Sequence, residues 1–169
     1  MAELVLPPME RGASDDEAMW EMLRRHALQT ARDGNLMRCR NVHLTMANHL
    51  LRRHKHRKAL QALFIVCVFD LCGARNRREA SGDTGQSYSR FDGSSASLAP
   101  GIVRQARDVA HELALSMEEM RDIFLGISAR LPVPKDSRRL WSVLQLALEG
   151  GFDSNDAESF RRVTHSLLS

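Results

Sequence analysis

The sequence predicts an all-α protein of about seven helices arranged in antiparallel hairpins. Three observations carry this reading. Apolar residues recur at three- and four-residue spacing through most of the chain, the helical period. Capping boxes stand at Ser14-Asp15-Asp16-Glu17, Ser116-Met117-Glu118-Glu119 and Asn155-Asp156-Ala157-Glu158, each pairing a side chain that accepts from the first-turn N–H groups with an acid that reaches back. The most apolar run, KALQALFIVCVFDLC at residues 58–72, has strong helix formers at both ends.

That run is the element around which the rest is arranged. Between Ala59 and Cys72 only Gln61 and Asp70 are polar, so the segment is apolar nearly all round and belongs inside a core. Residues 64–69 contain the β-branched Ile65, Val66 and Val68 and would also suit a strand, but the length of the run and its flanks favour a helix of about four turns. A membrane span needs about 20 apolar residues; this run is shorter and interrupted by Asp70, and no membrane partner is expected. A buried Asp70 needs a cationic partner, Arg40 or Arg75.

Taken in order, residues 1–13 read as a flexible leader and 14–169 as one helical domain. The first helix runs from the Ser14 box to about Arg32, with Ala18, Met19, Met22, Leu23 and Ala27 as its apolar face, and Asp33-Gly34 ends it. The second covers about 35–53 and buries Val42, Met46, Ala47, Leu50 and Leu51. The break near His54 is short, so the central helix folds back antiparallel on the second. Residues 75–98 are polar, rich in Gly and Ser and without period, and read as a mobile loop that Tyr88 and Phe91 could anchor. Pro100 opens the next helix, with Ile102, Val103, Ala106, Val109, Ala110 and Leu113 inward. Ser116 opens another, striped by Met120, Ile123, Phe124 and Ile127; because no Gly or Pro separates the two, a single long helix is the alternative. Leu131-Pro132-Val133-Pro134 is a stop. Asp136 or Ser137 then caps a helix that buries Leu140, Trp141, Leu144, Ala147 and Leu148 and closes at Gly150-Gly151, and the Asn155 box opens a last helix with Phe160, Val163 and Leu167 inward.

Within this pattern two stretches resemble the tetratricopeptide repeat. His43-x-x-Met46-Ala47-x-x-Leu50 is followed by Ala59, twelve residues after Ala47, and by Leu63; Trp141-x-x-Leu144-Gln145-x-x-Leu148 is followed by Ala157 at the same spacing. The resemblance spans about 60 residues. Arg161 departs from it where a bulky apolar residue is expected, and both copies lack the terminal proline. It implies helical hairpins stacked as a short α-solenoid, with an irregular helical bundle as the alternative, and a surface for a peptide or helix of another protein.

Charge is the sharpest functional signal. Between residues 34 and 78 ten cations, Arg38, Arg40, Arg52, Arg53, Lys55, Arg57, Lys58, Arg75, Arg77 and Arg78, face one carboxylate, Asp70. This local +9 within a chain of net charge +3 leaves −6 for the remainder. Clustered guanidinium and ammonium groups suit phosphates and carboxylates alike. The ten residues are therefore candidate contacts for an acidic protein partner or for RNA or DNA, although no stacking aromatic and no GXXG, RNP or zinc motif accompanies them.

Other chemistry finds little support. Cys39 and His43 share a helical face, and His43, His49, His54 and His56 lie close in sequence, but neither H-E-x-x-H nor C-x-x-C is present. These histidines read as surface residues, and no metal or other cofactor is expected. Gly82-Asp83-Thr84-Gly85 lacks the GK[ST] of a phosphate loop, and no nucleophile has a base placed by motif, so no enzyme is expected. Three cysteines, an odd number without pair spacing, suit a reducing compartment, and the N-terminal residues lack the pattern of a signal peptide. The expectation is a cytoplasmic, non-enzymatic interaction module (an adaptor, a chaperone-like protein or a complex subunit), with a nucleic-acid-binding helical protein as the alternative.

Overall fold

A computed structural model describes residues 13–78, 87–91, 98–131, 133, 136–150 and 162. They form α1 (Ala13–Arg32), α2 (Leu36–Arg52), α3 (His56–Leu71), β1 (Ala74–Arg78), β2 (Ser87–Phe91), α4 (Pro100–Glu112), α5 (Met117–Ser128) and α6 (Ser137–Leu148). The expected leader, except for Ala13 at the start of α1, and the seventh helix, except for Arg162, which is helical, lie outside the described residues.

The apolar run becomes α3, the axis of the fold. It packs against α2, α4, α5 and α6, and every residue from Ala59 to Leu71 is buried except Gln61 and Asp70, which are half-buried. Phe124 of α5 closes on this axis. Its ring meets Phe64 edge-on at 5.6 Å between centroids and Trp141 of α6 at 5.4 Å, arrangements that add to simple area burial. Arg107 of α4 ties the far side, its guanidinium donating to the carbonyls of Ala147 (2.9 Å) and Leu148 (3.1 Å) at the C-terminal end of α6. Ala147 O also accepts from Gly150 N–H at 3.1 Å, and the cation complements the negative end of the helix dipole.

The turns explain the hairpins. At the end of α1, Gly34 takes φ +96° while Asn35 N–H donates to Thr30 O and Gly34 N–H to Ala31 O, a Schellman close. The α2–α3 turn repeats it with His54 at φ 58°, and α4 ends the same way on Ala114 at φ 52°. The latter break separates α4 from α5, so the single long helix is not formed. Ser116 caps α5 with the full box: its Oγ accepts from Glu119 N–H at 3.1 Å, and its N–H donates to Glu119 Oε1 at 3.2 Å. Because a non-glycine residue in the left-handed region costs about 1–2 kcal/mol, Ala114→Gly should gain about 0.5–1 kcal/mol after allowing for the freer unfolded chain. A thermal melt should rise by about 2 °C; an unchanged or lower Tm would show that the turn holds Ala114 without strain.

Three expectations need correction. The buried face of α1 is Trp20, Leu23, Ala27 and Ala31, whereas Ala18 and Met22 are exposed, Met22 at 62 %. The Trp20 ring, with its large area, turns inward and rotates the helix by about a hundred degrees. Ser14 lies within α1 rather than ahead of it. Residues 75–78 and 87–91, read as part of an aperiodic loop, lie in the antiparallel strands β1 and β2, with Arg75 opposite Arg90 and Arg77 opposite Tyr88. A two-stranded ladder beside α2 and α3 is held by backbone pairing, which needs no apolar alternation in the sequence.

Candidate functional site

The antiparallel α2–α3 hairpin sorts the ten cations into two groups. Arg52, Arg53, Lys55, Arg57 and Lys58 stand at the turn, with Arg52, Arg53 and Arg57 exposed and both lysines half-buried. Arg38 and Arg40 sit at the start of α2, and Arg75, Arg77 and Arg78 on β1, beyond the other end of α3. At 1.5 Å per residue, the length of α3 sets the groups roughly 20 Å apart. The ten cations therefore do not form a single patch.

Arg40 is moreover engaged. Its Nε donates to Asp70 Oδ1 at 2.6 Å and its Nη2 to Oδ2 at 3.2 Å, a two-pronged pair with the side chains 16 % and 11 % exposed. Arg40 is one of the two partners expected for Asp70. Burial raises the Asp70 carboxyl above its ordinary range, against the downward pull of the Arg40 guanidinium. This is a structural tie between α2 and α3, with its charges directed at each other.

The turn group borders open space. A cleft of about 580 Å³ lies between the N-terminal turn of α3 and α1, lined by Lys55, His56, Arg57, Lys58, Glu21 and Arg24 among others. A second, of about 470 Å³, continues along α3 between α1 and α5, with Leu28, Ile65, Ile123, Ile127 and Leu131 as its apolar surface and Arg25, Asp122 and Arg130 as polar lining. Glu21, Arg24 and Gln61 line both. Arg24 Nη2 donates to Gln61 Oε1 at 3.1 Å while Nη1 lies 3.5 Å from Glu21 Oε1, so this trio forms a polar sill joining the two halves. The floor is α3, and the walls are α1 and α5.

No protein-family model, curated protein or solved structure matches this chain. The geometry of its own side chains is therefore what bears on function.

The cysteine and histidine pair reads differently in three dimensions. His43 is not a surface residue: it is fully buried, its Nδ1–H donates to Cys39 O at 2.7 Å, and Cys39 Sγ lies 3.7 Å from the same nitrogen. Burial pushes the His43 imidazole down to about 4 and the Cys39 thiol up to about 12, so both stay neutral near pH 7. His49 is half-buried with its ring 6.5 Å from that of Trp20, His56 is half-buried, and His54 is exposed. Among the described residues no three His, Cys, Asp or Glu side chains converge as a metal site, and no helix is long and apolar enough to cross a membrane.

Glu21, Arg24, Leu28 and the α5 residues of the groove were not among the sequence-derived candidates. Their one visible mark was Gln61, the polar interruption in an otherwise apolar rod. Its position at the sill explains why that helix face is not sealed.

Proposed function

We propose that the chain is a non-enzymatic helical module that binds another protein, as an adaptor, chaperone-like protein or complex subunit. The open groove along α3 between α1 and α5 is the observation that carries this reading. It offers an apolar floor inside a charged rim, the anatomy of a protein-recognition surface. The α2–α3 hairpin, with Ala59 and Leu63 buried where the tetratricopeptide pattern has its small and bulky residues, is in keeping with a helix- or peptide-binding fold. The enclosure of α3 by four other helices favours the compact-bundle form of that fold over an extended solenoid. Cys39, Cys67 and Cys72 are buried and are not joined in disulfides, which suits a reducing compartment such as the cytoplasm.

The test is co-purification with the intact chain, comparing the natural sequence with Gly126→Trp, which places an indole in the groove. A stoichiometric protein retained by the first and lost by the second is the expected result. If nothing is retained through the groove, the reading fails.

A second reading, nucleic-acid binding, draws on the exposed Arg52, Arg53 and Arg57 at one turn. It predicts retention of RNA or DNA that falls steeply with salt and disappears when Arg52, Arg53, Arg57 and Lys58 are changed to Glu with helicity intact. Binding that ignores salt would remove it.

A further inference from the structure

We infer that the groove accepts an acidic amphipathic helix of a partner protein, an assignment that rests on the interaction reading above and specifies the partner's chemistry. Three independent features of the groove converge on it.

The first is charge. Six cations, Arg24, Arg25, Lys55, Arg57, Lys58 and Arg130, line the two clefts against two carboxylates, Glu21 and Asp122. Three of the six, Lys55, Arg57 and Lys58, stand at the end formed by the α2–α3 turn, where α3 also presents the positive end of its dipole and has neither an acid in its first turn nor a side-chain cap. A cationic partner would face like charge at the end it has to enter. A partner with carboxylates at that end meets complementary charge.

The second is shape. From His56 to Ile65 the floor runs roughly 14 Å along α3, the length of about three helical turns. Beyond the Arg24–Gln61 sill it is aliphatic, with Ile65 below, Leu28 on the α1 side and Ile123 and Ile127 on the α5 side. An apolar stripe at i, i+3, i+4 and i+7 on one face of a helix matches such a channel, leaving the acidic face toward the basic rim.

The third is Gly126. It lies within α5 on the groove wall, and a Cβ added there would meet nothing within 4 Å. No turn or close neighbour within the described fold requires glycine at this position, yet glycine inside a helix costs about 0.5–1 kcal/mol relative to alanine. A wall kept free of side chain at that cost is explained by something outside the chain approaching the backbone of α5.

The experiment measures binding of three labelled synthetic peptides of about 14 residues, enough for a helix that fills the floor, to the full-length protein. One carries Leu at i, i+3, i+4 and i+7 with Glu on its other face, the second has Lys in place of Glu, and the third is a scrambled Glu peptide. The Glu helix should bind at least about tenfold more tightly than either control, since both charge and apolar register are then matched. Gly126→Trp, or Gly126→Leu if the larger residue disturbs the fold, should weaken it about tenfold or more, as expected of an obstructed central contact. Gly126→Ala should melt slightly higher yet bind the Glu helix more weakly than the natural chain does, though less so than Gly126→Trp, because its methyl stands where the partner approaches the backbone, and Arg57→Glu with Lys58→Glu should weaken binding with a reduced dependence on salt.

Equal binding of the Glu and Lys helices, or Glu-helix binding indifferent to Gly126→Trp, would overturn the assignment. So would self-association that Gly126→Trp abolishes, which would give the groove to a second copy, or displacement of the Glu helix by a single-stranded RNA with the higher affinity. If the Glu helix fails while Gly126→Trp still releases a co-purifying protein, the acidic-helix identity is lost and the interaction reading survives. If both fail, both fall.

Discussion

Replacing Arg40 with leucine is expected to cost about 3–4 kcal/mol at pH 7.5, because it strands a buried carboxylate. Asp70 is 11 % exposed and receives both Nε and Nη2 of Arg40, so the change removes two charge-assisted hydrogen bonds and leaves the charge without its counter-ion. That loss is a large part of the stability of an ordinary domain, about 5–15 kcal/mol. In urea it should lower the midpoint by about 1.5–2 M. The pH dependence gives the cause. Burial already raises the Asp70 carboxyl, and losing Arg40 removes the hydrogen bond and positive charge that oppose that rise. A carboxyl whose folded value lies above its unfolded one adds stability below the unfolded value and loses it as pH climbs through the folded value. The deficit of Arg40→Leu should therefore shrink as pH falls from 7.5 toward 4.5. Arg40→Leu combined with Asp70→Leu should recover most of the loss, because an apolar pair in place of a buried ion pair is close to neutral. A deficit independent of pH, or a double variant as weak as the single, would show that Arg40 stabilises through packing alone.

The Arg40–Asp70 tie also shows where the sequence could be read and where it could not. A lone acid in an apolar rod demands a cation, and only a few arginines were within reach, so the pairing was legible from composition and hairpin topology. So were the central helix, the Ser116 box and the Gly34 turn, each of which depends on residues within a few positions of one another. The face of α1 was not, because hydrophobic phase alone does not decide whether Met22 or Trp20 turns inward; the surface of α2 decides it. The strands 74–78 and 87–91 escaped because backbone pairing leaves no mark on a polar sequence. The ten cations were contiguous in sequence terms, but antiparallel packing sends neighbours in that count to opposite ends of α3. The groove was hidden for a related reason. Its walls come from α1 and α5, whose nearest lining residues, Leu28 and Asp122, are 94 positions apart in the chain (122 − 28). Gly126, the residue that marks its wall, had no local signature beyond being a glycine in a helix.

Acid should act first through His43. In the folded chain its ring is fully buried, its Nδ1–H is committed to Cys39 O, and its Nε2 has no hydrogen-bond partner among the described residues. Burial pushes the imidazole down to about 4, the Cys39 carbonyl pulls the other way, and the positive charge of Arg24 adds to the depression. An unfolded histidine titrates near 6.5, and a depressed folded value means that the stability is present above the unfolded value and is lost as pH falls through the folded one. The window is about pH 6.5 to 4, and a difference of about 2.5 units corresponds to about 3 kcal/mol. His43→Leu removes both the titration and the unpartnered nitrogen while keeping most of the volume. It should lie within about 1 kcal/mol of the natural chain at pH 7.5, and should be the more stable of the two by about 2–3 kcal/mol at pH 4. Urea unfolding across that range provides the comparison, because groups shared by both proteins cancel in the difference. Parallel curves from pH 7.5 to 4 would exclude His43 as the acid-sensitive group. The place of the loss matters as well. His43 lies on α2 beneath α1, close enough to feel Arg24, and α2 is the principal support of α1. Protonation there should loosen α1 ahead of the rest, seen as amide exchange in α1 that accelerates on acidification beyond the intrinsic change while α3 stays protected. Since α1 is one wall of the groove, a bound helix should be released over the same pH interval, and His43→Leu should retain it to lower pH.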